Sequence, residues 1–102
     1  MIKVILFTIL AFISTAIGFA RDSNNVTVYS AVWCDYCHKA MRHLDDKGVS
    51  YKNCDVERDA SCKAEFDRLG GVGLPLIMVG SDRMDGYDRA ELDQLLKKHG
   101  LI

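Results

Sequence analysis

Cys34 and Cys37 are separated by Asp35 and Tyr36, and this spacing lets one disulfide form and break with little backbone movement. The apolar run 26–33 before them predicts a strand. If a helix begins directly after that strand, Cys34 lies at its N-terminus, where unpaired N–H groups and the helix dipole favour negative charge. The pattern therefore predicts Cys34 as a redox nucleophile and Cys37 as the resolving thiol. An inert structural disulfide, or two buried thiols, is the alternative interpretation.

Cys54 and Cys62 form a second pair. Four cysteines allow three pairings, and the sequence does not choose among them. We favour a structural Cys54–Cys62 disulfide between the second strand and the second helix. Closing so short a loop contributes roughly 2–3 kcal/mol in the chain-entropy description. Two free thiols, or a pair that relays electrons, are the alternatives.

Seven elements are predicted to position these cysteines, in the order β-α-β-α-β-β-α. Apolar, β-branched or alternating runs predict the strands, and apolar residues at helical spacing predict the helices. Asp59 and Asp88 are predicted N-caps, Asp88 within a capping box, and Gly48 and Gly70-Gly71 are predicted helix stops. The predicted ranges are 26–31, 35–47, 49–56, 59–69, 76–79 and 83–85, with a turn at 80–82. A last helix is predicted to begin at Asp88 and to carry Leu92, Leu95 and Leu96. The first βαβ unit requires parallel strands and the last hairpin an antiparallel pair, so we expect an α/β fold with one four-stranded mixed sheet and helices on both faces.

The first 20 residues differ from the rest of the chain. Lys3 is their only charge, the stretch 4–20 is almost wholly apolar, and Gly18-Phe19-Ala20 offers small residues where a leader is cleaved. We therefore expect a signal peptide at 1–20, a short polar linker at 21–25 and one domain at 26–102. An uncleaved membrane anchor is the alternative, although the apolar stretch is shorter than the ~20 residues of a spanning helix.

Charge and composition limit the classes of partner that we expect for this chain. The net charge is −1, and no basic stretch is interleaved with aromatic residues, so nucleic-acid binding is not expected. Export would place the chain in a periplasm or another secretory compartment, where disulfides persist. We expect a monomer that contacts a membrane only if the leader is retained.

Three motifs occur together between Val26 and Leu96: Cys34-Asp35-Tyr36-Cys37, Leu74-Pro75 and Gly86-Tyr87-Asp88. On these motifs the chain resembles a glutaredoxin of the thioredoxin-like superfamily. The resemblance implies a thioredoxin-like fold, a cis Pro75 and thiol–disulfide oxidoreductase activity on protein or small thiol substrates, supported by a thiol reductant. It implies no bound cofactor or metal.

The resemblance also identifies the residues expected to contact substrate: Trp33, Tyr36, Leu74, Pro75, Gly86, Tyr87 and Asp88. Alternatives are helix packing for Tyr36, a strand start for Pro75 and a simple N-cap for Asp88. Glutathione is a candidate co-substrate. Ala31 and Gly73 stand where glutathione-using members have Lys and Thr, and this difference argues against it. Asp35 is expected to raise the pKa of Cys34 by charge repulsion.

Two other functions compete with redox catalysis. Cys34-Asp35-Tyr36-Cys37-His38 also fits the c-type haem attachment motif, with Met78 or Met84 as a distal ligand. The cysteines and His38 could alternatively bind a metal in a metallochaperone-like module, but a second Cys-x-x-Cys is lacking. We expect His38 and His43 to be exposed helix residues. A non-catalytic binding domain is the third alternative.

Overall fold

The structure is a computed structural model, and it describes residues 25–102. Its elements follow the predicted order. They are β1 (Val26–Ser30), α1 (Asp35–Asp46), β2 (Lys52–Asp55), α2 (Ala60–Arg68), β3 (Leu76–Val79), β4 (Asp82–Asp85) and α3 (Arg89–Lys98). The predicted leader 1–20 and all of the linker 21–25 except Asn25 lie outside the described residues. Between residues 25 and 102, no helix is both long and apolar enough to cross a bilayer.

The four strands form one mixed sheet in the order β2-β1-β3-β4. β1 pairs in parallel with β2, and β3 is antiparallel to both β1 and β4. This arrangement confirms the predicted fold class. It also brings the end of β1, from which the chain enters α1, to the middle of the sheet.

The two faces of the sheet bury separate apolar clusters. Helices α1 and α3 cover one face and α2 covers the other. The first cluster includes Val26, Val28, Cys37, Ala40, Leu44, Ile77, Met84, Leu92 and Leu96. The second contains Tyr29, Cys54, Cys62, Phe66 and Leu76. Because successive strand residues point to opposite faces, Val28 and Tyr29 serve different clusters.

β2 is shorter than predicted, because it begins at Lys52 rather than Val49. The backbone N–H of Val49 donates to the carbonyl of Leu44 at 2.9 Å, after Gly48 takes a φ of 70°. Val49 therefore closes the end of α1, as expected where glycine permits a left-handed turn. The side chain of Val49 is buried in the first apolar cluster, and Val49 is not part of a strand.

The β3–β4 hairpin is tighter than predicted. Asp82 pairs with Val79 as a strand residue, so only Gly80 and Ser81 form the turn. Gly80 has a φ of 60°, as the two-residue turns that suit twisted strands require.

Candidate active site

Cys34 caps the N-terminus of α1. Its Sγ accepts a hydrogen bond from the backbone N–H of Cys37 at 3.1 Å, and its own N–H donates to the carbonyl of Ala31 at 3.1 Å. The two cysteines form a disulfide with their Cα atoms 5.2 Å apart. The chain thus turns sharply out of β1 and presents one sulfur to the unpaired amides of the helix. A negative charge on Cys34 is favoured at this position.

The two sulfurs differ in access to solvent. Cys34 is 4% exposed, whereas Cys37 is fully buried in the cluster beneath α1 and α3. Cys34 keeps a small accessible area and Cys37 keeps none, so only Cys34 can meet a substrate.

Exposed apolar side chains stand on both sides of Cys34 in the sequence. Trp33 is 63% and Tyr36 59% exposed, and Val32 is also exposed. The indole Nε1–H of Trp33 donates to Glu57 Oε2 at 2.8 Å, which fixes the ring against the loop between β2 and α2. The Nζ of Lys39 lies 4.9 Å from the centre of the Tyr36 ring.

The Leu74–Pro75 peptide bond is cis, as the resemblance implied. Leu74 is half-buried and Pro75 buried. The carbonyl of Pro75 accepts a hydrogen bond from the backbone N–H of Gly86 at 2.8 Å, so the segment before β3 is tied to the one before α3. Val72, in the same loop as Leu74, is 95% exposed.

His43 connects α1 to α3, and the expectation that it is exposed was wrong. It is buried, with Nε2 2.7 Å from Asp93 Oδ1 and Nδ1 2.8 Å from the Tyr87 hydroxyl. A carboxylate only accepts, so His43 donates through Nε2 to Asp93, and Nδ1 shares a hydrogen bond with the Tyr87 hydroxyl. The hydrogen bond from His43, followed by the charges of His43 and Lys47, lowers the pKa of Asp93 despite some opposing desolvation.

Asp88 is the N-cap of α3, so the first turn of that helix does not keep all its amides free for a ligand. Its side chain accepts a hydrogen bond from the backbone N–H of Glu91 at 2.9 Å. A cap at this end of α3 satisfies one amide that a substrate carboxylate could otherwise use.

Comparisons with known proteins agree with this geometry. The glutaredoxin family description matches residues 26–84. Glutaredoxin 3 of Escherichia coli strain K12 is 33% identical over 81 residues, covering 72% of this chain and 98% of that protein. The chain belongs to the glutaredoxin family.

Solved glutaredoxins share the architecture. Oxidised glutaredoxin 2 of Chlamydomonas reinhardtii is similar with a TM-score of 0.60 and 29% identity, over 78% of this chain and 86% of that one. The glutaredoxin-like NrdH-redoxin of Escherichia coli has a TM-score of 0.62 at 21% identity, over 69% and 92% of the two chains. The family, the fold and the Cys34–Cys37 pair together establish a thiol–disulfide oxidoreductase.

This glutaredoxin has a second disulfide on the other side of the sheet. Cys54 in β2 and Cys62 in α2 are bonded, with Cα atoms 5.3 Å apart. Both are buried among Tyr29, Phe66 and Leu76. A substrate does not reach them without unfolding, so this position suits a structural link.

No observation favours the haem or metal alternatives. Cys34 and Cys37 are bonded to each other, and His38 Nε2 lies 2.8 Å from the carbonyl of Val32. In the part of the chain that the structure describes, three or more acidic, histidine or cysteine side chains nowhere group as metal ligands would.

Sequence reasoning missed three features around the site of this glutaredoxin. Glu57 holds Trp33, Asp93 holds His43, and Arg42 and Arg89 line a groove that also contains His43 and Tyr87. The two residues joined by each of these hydrogen bonds are 24 and 50 positions apart in the sequence, so no local motif predicts the contacts.

Proposed function

We propose that the protein is an exported glutaredoxin-family oxidoreductase that reduces or exchanges disulfides of other proteins. Cys34 attacks as a thiolate, forms a bond to one substrate sulfur and releases the other as a thiolate that takes up a proton. Cys37 then loses its proton and attacks Cys34 Sγ, which releases the second substrate thiol. The substrate gains two electrons and two protons, the protein becomes the Cys34–Cys37 disulfide, and a donor dithiol restores it.

One observation carries the assignment of roles: the two sulfurs are unequal. Cys34 accepts an amide hydrogen bond at the helix N-terminus and keeps some exposure, whereas Cys37 is fully buried one turn further on. Amide donors lower the pKa of a thiol, and a thiolate is the attacking species. This inequality supports Cys34 as nucleophile and Cys37 as resolving thiol.

The surface supports a protein substrate. Val32, Trp33 and Tyr36 are apolar side chains left exposed within two residues of Cys34, and clustered exposed apolar side chains mark protein interaction sites. Trp33, Tyr36 and the segments around Leu74-Pro75 and Gly86-Tyr87-Asp88 would contact the partner beside its disulfide.

Glutathione is not the preferred co-substrate in this proposal. Ala31 offers no cation three residues before Cys34, and Gly73 offers no hydroxyl before Leu74-Pro75. The carboxylate of Glu57 also lies at Trp33 Nε1, on the residue directly before Cys34. On the Trp33 side of Cys34 a small anionic thiol would therefore meet a carboxylate.

Export is the second part of the proposal. The apolar stretch 4–20 followed by a polar segment is typical of a cleaved leader. The buried Cys54–Cys62 disulfide fits a periplasm or secretory lumen, because structural disulfides persist in oxidising compartments. The mature domain would act there as a monomer.

Turnover of a protein disulfide by cysteine variants tests the roles. Cys34→Ser is expected to abolish reduction, and Cys37→Ser to accumulate a mixed disulfide through Cys34. The double variant Cys54→Ala/Cys62→Ala should retain turnover at a temperature where it is folded. Full activity of Cys34→Ser, or a mixed disulfide mapped to Cys37, would refute the assignment.

A further inference from the structure

A groove between α1 and the start of α3 carries concentrated positive charge. It has a volume of about 350 Å³ and opens to solvent. It is lined by Lys39, Arg42, His43, Asp46, Lys47, Tyr87 and Arg89. Four of these side chains are cationic and one is acidic, although the whole chain has a net charge of −1. The net charge of the groove is therefore positive, opposite in sign to the net charge of the whole chain.

Two of the cations are available for a ligand. Among residues 25–102, no carboxylate lies within 4.0 Å of the guanidinium of Arg42 or Arg89. Lys47 is only loosely held, with Nζ 3.9 Å from Asp93 Oδ1. An arginine fork without a partner is suited to a carboxylate, which it can bind with two parallel hydrogen bonds.

The floor of the groove is fixed. His43 hydrogen-bonds to both Tyr87 and Asp93, and the rings of His43 and Tyr87 meet edge to face with centroids 5.8 Å apart. These contacts join α1 to α3 at the floor of the groove.

The groove lies beside the active site along α1. Lys39, one of its lining residues, lies with Nζ 4.9 Å from the ring centre of Tyr36, the residue between Asp35 and Cys37. With a rise of about 1.5 Å per residue, Lys39 and Lys47 lie about 8 and 20 Å beyond Cys34 along α1. An extended peptide covers that span with residues about two to six positions from the cysteine under attack, at about 3.3 Å per residue.

From these observations we propose that the α1–α3 groove docks an acidic segment of the protein whose disulfide Cys34 attacks. The inference rests on the proposed function and adds a selection rule to it. Partners with Asp or Glu two to six residues from the reactive cysteine, on the side that runs along α1, bind in preference to neutral or basic ones. Complementary charge here raises the rate of productive encounter and fixes the direction of the substrate chain.

The test compares reduction of three disulfide peptides that differ only at those positions, carrying Glu, Gln or Lys, at low ionic strength. Each is made with the variable positions before and after the cysteine. For the wild-type protein we expect kcat/KM for the Glu peptide to exceed that for the Gln peptide roughly tenfold in one orientation, with the Lys peptide slowest. High salt should shrink the difference, since it screens exposed charges.

Two pairs of variants locate the effect. In Arg42→Glu/Arg89→Glu the ratio of the Glu-peptide to the Gln-peptide rate should fall to one or below, and in Arg42→Gln/Arg89→Gln it should fall to an intermediate value. The control Lys52→Glu/Lys63→Glu makes the same change of charge at exposed positions outside the groove, and it should keep the wild-type ratio.

The outcomes separate the two levels of the proposal. If the wild-type protein reduces none of the peptides, the proposed function fails and the docking inference fails with it. If it reduces all three peptides equally, only the docking inference is overturned. The same holds if Arg42→Glu/Arg89→Glu and the control Lys52→Glu/Lys63→Glu lose the preference for the Glu peptide equally. Stronger inhibition by inorganic phosphate than by chloride at equal ionic strength would also overturn it, because the groove would then be a small-anion site.

Discussion

At the scale of single residues, the Sγ of Cys34 has the most consequential surroundings. An N-cap cysteine replaces the usual Ser or Asp and accepts the Cys37 amide. The same hydrogen bond that starts the helix therefore stabilises the attacking thiolate. One hydrogen bond thus contributes both to the start of α1 and to the reactivity of Cys34.

Asp35 acts against that stabilisation. It is the first residue of α1, and its carboxylate is adjacent in sequence to Cys34. We expect Asp35→Asn to lower the pKa of the reduced Cys34 thiol and to make the Cys34–Cys37 disulfide more oxidising. Measuring the alkylation rate of Cys34 against pH gives the first quantity. Equilibration with a dithiol of known potential gives the second.

Asp46→Asn is the matched control, since it removes the same charge about 17 Å further along α1. It should leave the Cys34 titration where it is. An unchanged or raised Cys34 pKa in Asp35→Asn would show that the helix end outweighs the carboxylate entirely.

At the scale of elements, α1 and α3 are joined by the His43–Asp93 contact. The bond to His43 lowers the pKa of Asp93 from its ordinary value of 3.8. A carboxyl group with a lowered pKa stabilises the folded state above its ordinary pKa, and this contribution is lost as pH falls through the lower folded-state value. Stability should therefore depend on Asp93 near neutral pH and cease to do so in acid.

Urea unfolding at several pH values tests this link. The difference in unfolding free energy between wild type and Asp93→Asn should be largest near neutral pH and should shrink below pH 3.8. Gln94→Ala, at an exposed uncharged neighbour on α3, should show a difference that does not vary with pH. A constant difference for Asp93→Asn would contradict the role given to its charge.

β2 and α2 are joined by the Cys54–Cys62 disulfide. Replacing both cysteines by Ala is expected to lower the unfolding free energy by roughly 2–3 kcal/mol from the lost loop constraint alone. The control Cys34→Ala/Cys37→Ala removes the other disulfide, which closes a shorter loop, and should cost less through this effect. Equal losses in urea unfolding would argue against a structural role for Cys54–Cys62.

Most elements could be predicted because their signals are local. The apolar run of β1 and the glycine after α1 are examples. The predicted β2 was too long because apolar and polar residues alternate from Val49 onward. In the structure, however, the Val49 amide closes the end of α1. The α1–α3 groove could not be predicted, since it exists only once α1 and the start of α3, which are 45 to 47 residues apart at Arg42 and Tyr87–Arg89, are packed together.

The candidate site shows the same division between local and distant signals. Two cysteines and the strand before them predict the reactive pair, whereas the capping of α3 by Asp88 competes with ligand binding at the same residue. Trp33 is identifiable by its adjacency to Cys34. Its orientation depends on Glu57, which belongs to a different loop.

At the scale of the whole molecule, the second disulfide and the proposed leader point to one compartment. Expressed with its complete sequence in a secreting host, the chain is expected to leave the cytosol and to begin at Arg21 after cleavage behind Ala20. N-terminal sequencing and intact mass check this outcome. Retention of Met1 in the membrane fraction would instead support the anchor.

The central claim is that the N-terminal amides of α1 make Cys34 the thiolate of the pair. Alkylation of the protein with Cys34 and Cys37 reduced, followed across pH and mapped by mass spectrometry, tests it most directly. The account predicts that Cys34 reacts first, with a pKa below the ~8.5 of a free cysteine. Preferential modification of Cys37, or a Cys34 pKa at or above that value, would contradict it.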